Sequence, residues 1–252
     1  MAETTLNQLS ESEIDEFNLQ LRGIATSHSS SLEKIELSLG LNAGFVLALL
    51  EEKDDWAFII KMSVVVEATL GRVINALVGN DQIARHIRSL PMDGRTGKIQ
   101  LARDLNIVGP KSGARLRVLG EIRNDFAHDL RVVQISISEY FSSMPSADFD
   151  AMAEKFFARD DGTKTPDARK PNRRLSSGPA DGRVARSVLW SCGCFALLEL
   201  SAAYRRISSQ SAWSSALKTL GEAFSSRLTG DESAAREKMK IALAAMEATR
   251  DQ

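Results

Sequence analysis

Metal and redox chemistry have few residues to work with in this sequence. It holds two cysteines and three histidines. The cysteines, Cys192 and Cys194, stand one residue apart in "WSCGCFALLEL", and disulfide geometry does not easily close over so short a span. No further cysteine and no histidine cluster accompanies them, so a zinc site is not expected. Two buried helix cysteines are the expectation. A chain with so few cysteines suits a reducing cytosol, and neither a metal nor a cofactor is expected.

An excess of charge is also missing. Lys and Arg total 32 against 33 Asp and Glu, for a formal charge of −1. That excludes a protein that is basic overall, as many proteins that coat nucleic acid are, and leaves room for a local basic groove. Long apolar runs are absent too. "WAFIIKMSVVVEATL" carries Lys61 and Glu67, and "VLWSCGCFALLEL" is shorter than the roughly 20 apolar residues a membrane span needs. The N-terminus, "MAETTLNQLSESEIDEF", is acidic and has no apolar segment of the kind a secretion signal carries. A cytoplasmic protein with no membrane partner is expected. No internal repeat period is visible.

What the chain does have is helical periodicity and, at 43% hydrophobic residues, enough apolar side chains for a core. Ser10 and Glu13 have the spacing of a capping box and open a helix expected through about Gly23. Residues 28–55 read as helix with a break near Leu39–Asn42. The best-marked helix runs from about Asp55 to Val78, where Trp56, Ile59, Ile60, Val64, Glu67, Leu70, Ile74 and Leu77 recur at three- and four-residue steps. Shorter helices are expected over "QIARHIRSL" and "GKIQLARDLNIV", and a longer one over "KSGARLRVLGEIRNDFAHDL". "RVVQISISEYF" is rich in β-branched residues but has no evident strand partner, and reads as an extended loop. Ser146 opens another helix to about Phe157. Residues 158–186 lose the apolar period to Gly, Pro, Ser and charge and read as a flexible linker or long loop. Residues 187–252 return to helix, in two or three segments. The fold class is all-α, divided into a bundle over 1–157, the linker, and C-terminal helices packing on the bundle.

One short stretch stands apart: "EIRNDFAHD", residues 121–129. On a helix, Val118, Leu119, Ile122, Phe126 and Leu130 gather on one side, which must face the core. Asn124 and His128 are four residues apart and stack on the roughly opposite face. Arg123 sits on the border, with reach toward His128. Histidine transfers protons near neutral pH, and arginine holds a phosphate bidentately and stabilises developing negative charge. A cation, an amide and an imidazole on one outward face suit phosphodiester cleavage without a metal. The plainer reading is a solvated surface in which Asp125 and Asp129 pair with Arg123 or His128.

"RNDFAH" resembles the R-N-x-x-x-H signature of the HEPN superfamily (higher eukaryotes and prokaryotes nucleotide-binding). The wider likeness is to the mannitol operon repressor family, with its similar "RN-x-FAH" element. The resemblance covers roughly residues 40–145 and includes "VVVEATLGRVI", with Glu67, and "GKIQLA", with Lys98. It implies a HEPN-like bundle that dimerises across the motif helices, here followed by a C-terminal helical extension. It further implies a metal-independent endoribonuclease, in a toxin–antitoxin or defence setting, with Arg123, Asn124 and His128 as catalytic residues. An RNA substrate attacked through its own 2′-hydroxyl would follow. The repressor branch implies instead a transcriptional regulator acting through protein contacts. A catalytically inactive antitoxin or scaffold is the third class.

Around the motif, Glu67, Asp125 and Lys98 are candidate supporting residues. Glu67 is open to three roles: a partner for Arg123 or Lys98, a solvent-facing residue, or part of the chemistry. "GRTGK", residues 94–98, lacks the spacing of a phosphate-binding loop and has no preceding strand. In the linker, Arg169, Lys170, Arg173 and Arg174 are weak nucleic-acid candidates. Acidic residues are mixed among them and no aromatic accompanies them, so a tether is the favoured reading.

Overall fold

Asp54 starts the helix on which the rest of the chain is assembled. Its carboxylate accepts from the backbone N–H groups of Trp56 and Ala57, two of the donors a helix start leaves unpaired. Gly79 ends the helix in the left-handed conformation, at φ 61°. The computed structural model describes residues 29–79, 81–157, 182–228 and 232–250, together with positions 19, 23, 26 and 27. Every regular element among the described residues is helical. In chain order these are α1 (Ser29–Ser38), α2 (Phe45–Ala48), a 3-10 turn (Leu49–Glu51), α3 (Asp55–Val78), α4 (Asp81–Ser89), α5 (Lys98–Asp104), α6 (Pro110–His128), α7 (Ile137–Ser143), α8 (Ser146–Phe157), α9 (Gly182–Leu228) and α10 (Glu232–Arg250). The helix expected from Ser10 lies almost wholly outside the described residues.

Helix α3 has the expected bounds, but its buried stripe is rotated. Phe58, Ile59, Met62, Val65, Val66, Leu70, Val73 and Ile74 are buried. Trp56, Val64 and Leu77 are exposed. The periodicity could not choose between two apolar stripes on a helix that is apolar nearly all round. Neighbours chose: α6 and α9 cover the Phe58–Val73 side, and the other side is left open.

The break after α1 is built on Glu36. This buried carboxylate accepts from Gly44 N at 2.6 Å and Val46 N at 2.7 Å, which turns the chain into α2. The stretch read as an extended loop at 131–141 holds the first five residues of α7. Ser136 and Glu139 form a reciprocal capping box, and Ile137, Tyr140 and Phe141 are buried. The signal "SISE" was in the sequence, hidden by its β-branched neighbours. Leu130 also departs from expectation. Helix α6 stops at His128, and Leu130 is 84% exposed.

Helix α9 begins at Gly182, inside the segment read as linker, and runs for 47 residues. At about 1.5 Å per residue it is roughly 70 Å long. Its first half lies in the same core as α1–α8. Trp190 is 1% exposed, and its Nε1 donates to Val46 O at 2.7 Å. Gly193 lets the backbone come against Met62 of α3, where any side chain would meet the thioether. Buried Arg115 joins three helices, donating to Phe156 O at 3.0 Å and pairing with Glu199 at 2.8 Å. Arg186 pairs with Asp55 at the start of α3. Helix α10 packs mainly along α9. Length and composition alone would let Ala185–Leu220 cross a membrane, but 67% of its most apolar window is buried in the bundle.

Cys192 and Cys194 are both buried and free. Burial pushes each thiol well above its usual range. The reactive species is the thiolate. Neither cysteine should therefore react with a thiol reagent in the folded protein at neutral pH, and both should react after unfolding in guanidinium. Stoichiometric labelling of the native protein would contradict this placement.

Candidate functional site

The end of α6 is clamped from the inside. Ile122 and Phe126 are buried at 1% and 0% exposure. The Phe126 ring lies 5.3 Å from that of Tyr140. Trp56 Nε1 donates to the Phe126 carbonyl at 2.8 Å, satisfying one of the acceptors that a helix C-terminus leaves unpaired. With the apolar face held this way, Asn124 and His128 are exposed and Arg123 is half-buried beside them.

Arg123 does not reach round to His128. Its Nη1 donates to Asn124 Oδ1 at 3.0 Å. The acidic neighbours are occupied elsewhere. Asp125 accepts from Tyr140 Oη at 2.6 Å. Burial, reinforced by this carboxylate, pushes the Tyr140 phenol up, so it stays a donor. Asp129 is held by a two-pronged pair with Arg131, at 3.0 and 2.7 Å. Hydrogen bonds from Arg131 pull the Asp129 carboxyl down to about 2, so it is an anion throughout the neutral range. The expected surface pairs with Arg123 and His128 do not form, because Tyr140 and Arg131 take the two carboxylates. His128 has no hydrogen bond or ion pair to any described residue.

Two hollows meet at Asn124. One, of about 520 Å³, is lined by Asn124, Asp125, His128 and Asp129. The other, of about 370 Å³, runs between α3 and α6 and is lined by Glu67, Asp93, Arg123 and Asn124 among others. Asn124 lines both hollows, with Arg123 on the wall of the second and His128 on the wall of the first.

Glu67 stands on the wall of the second hollow. Of its three readings, the structure selects a partner for Lys98: Nζ and Oε1 are 2.5 Å apart. The Lys98 side chain is only 6% exposed, a buried cation neutralised by its pair. It therefore points inward and brings no loose charge to the surface. Gly97 precedes it because a side chain there would meet the Asp93 backbone, so the "GRTGK" turn is a helix entry. Sequence reasoning missed Trp56 and Tyr140. The first was read as core, and the second was placed in the loop that proved to be α7. Arg169, Lys170, Arg173 and Arg174 lie outside the described residues.

A guanidinium, an amide and an imidazole on two neighbouring hollows can bind a phosphodiester and exchange a proton with it. Among the described residues, no three His, Cys, Asp or Glu side chains cluster closely enough to hold a metal ion. The chain matches no family model, no curated protein and no solved structure.

Proposed function

We propose that the protein is a metal-independent endoribonuclease of the HEPN type, working from the outward face of α6. The observation that carries the reading is the state of His128: exposed, without a hydrogen bond or ion pair among the described residues, and on the same helix as Arg123 and Asn124, with both neighbouring carboxylates drawn off by other groups. Arg123 holds the non-bridging oxygens of the scissile phosphate. His128 takes the proton of the adjacent 2′-hydroxyl. The 2′-oxygen then forms a bond to phosphorus as the bond to the 5′-oxygen breaks, and that oxygen leaves with a proton from water. The products are a 2′,3′-cyclic phosphate and a 5′-hydroxyl. The test is cleavage of RNA in EDTA with end-group analysis. Intact RNA across structured and unstructured substrates would overturn the reading.

Next to His128, Leu130 and Val133 are exposed at 84% and 40%. Apolar side chains so placed favour burial by a second copy, which would bring two motif faces together across a two-fold axis. The protein should run as a dimer by light scattering at micromolar concentration, and Leu130→Lys should shift it to monomer. The same exposed residues favour the second reading, a regulator acting through protein contacts. A dimer that forms but never cuts RNA would move the assignment there.

A further inference from the structure

A third and larger hollow, of about 750 Å³, lies on the other side of Glu67. Glu67 lines this hollow and the second, just as Asn124 joins the first two. Helix α3 makes one wall of it, where Ala68 and Gly71 leave room that larger side chains would fill. Arg88 lines it and, among the described residues, has no ion pair or hydrogen bond. Arg72 lies over the Tyr204 ring of α9 at 5.3 Å and is steadied by Ser38 O at 2.8 Å. Asn75 contributes a buried Oδ1 with no hydrogen-bond partner. Among the described residues the one carboxylate on the wall, Glu67, is already neutralised by Lys98.

These groups match the parts of a nucleotide. An exposed arginine without a partner among the described residues is suited to a phosphate. An arginine–tyrosine stack offers a platform for an unpaired base. A buried acceptor without a donor suits a base amino group or a ribose hydroxyl. We infer that this hollow binds a nucleotide of single-stranded RNA that flanks the phosphodiester lying at His128. The inference builds on the nuclease reading for its direction, since Glu67 and then Asn124 are shared between successive hollows from this one to His128. Unpaired RNA is the specified ligand because bases within a duplex are already stacked.

The test uses the full chain carrying His128→Ala, so that the RNA stays intact, and a short uridine-rich oligonucleotide read by fluorescence anisotropy over a salt series. Arg88→Ala should weaken binding and flatten the salt dependence by about 0.7 in log–log slope, one contact's worth of counterion release. Tyr204→Leu should weaken it at least about fivefold with the slope unchanged, the low end of a lost stack. Tyr204→Phe keeps the ring and should bind like its parent. Arg88 is exposed, so its removal leaves the fold intact and the result stands even where Tyr204→Leu is unstable. Unchanged affinity in both Arg88→Ala and Tyr204→Leu would overturn this site and leave the nuclease reading standing. Weakened binding in a protein that cuts nothing would uphold the site and sink the nuclease. Equal affinity for a duplex of the same length would overturn the single-strand assignment.

Discussion

A chain carrying His128→Ala is expected to cut RNA about 10²–10⁴-fold more slowly than its parent, the usual contribution of a positioned general acid or base. Its stability should stay within about 0.5 kcal/mol of the parent, because exposed residues away from special features seldom cost more. His128 is exposed and makes no hydrogen bond to a described residue. Urea unfolding and a cleavage assay on the same preparation separate the two effects. Arg123→Lys makes a useful companion, since lysine keeps the charge but cannot hold phosphate through two parallel hydrogen bonds. A His128→Ala protein that cuts at the parental rate would show that the nuclease, if present, works elsewhere.

Trp190→Ala should destabilise the whole protein by roughly 3–5 kcal/mol, the range for truncating a buried aromatic. Trp190 is the largest fully buried side chain, and it bonds to a backbone carbonyl 144 residues away, before α3. Trp190→Phe keeps most of the apolar volume and loses the indole donor. It should cost less, with about 1–3 kcal/mol arising from the unpaired Val46 carbonyl. Far-ultraviolet circular dichroism against denaturant measures both. The loss should appear as one shifted transition, because α9 shares its core with α1–α8. A variant in which only part of the helical signal melts early would mean that α9 is an appendage.

Local order was largely readable from the chain. The bounds of α3 follow from Asp54 as a cap and Gly79 as a stop, both short-range devices written in consecutive residues. The outward placement of Asn124 and His128 follows from their spacing against Ile122 and Phe126. Leu130 failed because periodicity was carried past the end of the helix. Helix α7 failed because β-branched composition outweighed the Ser136–Glu139 cap.

What the sequence by itself determined was the all-helical class, most helix boundaries and the polar face of α6. All of these depend on neighbours within a turn or two along the chain. Only the tertiary structure decided which stripe of α3 is buried, that Lys98 takes Glu67, and that Tyr140 and Arg131 draw Asp125 and Asp129 away from His128. Lys98 and Glu67 are 31 residues apart in the chain. A side chain selects among partners by distance in space, and helical periodicity specifies a face without naming what will cover it.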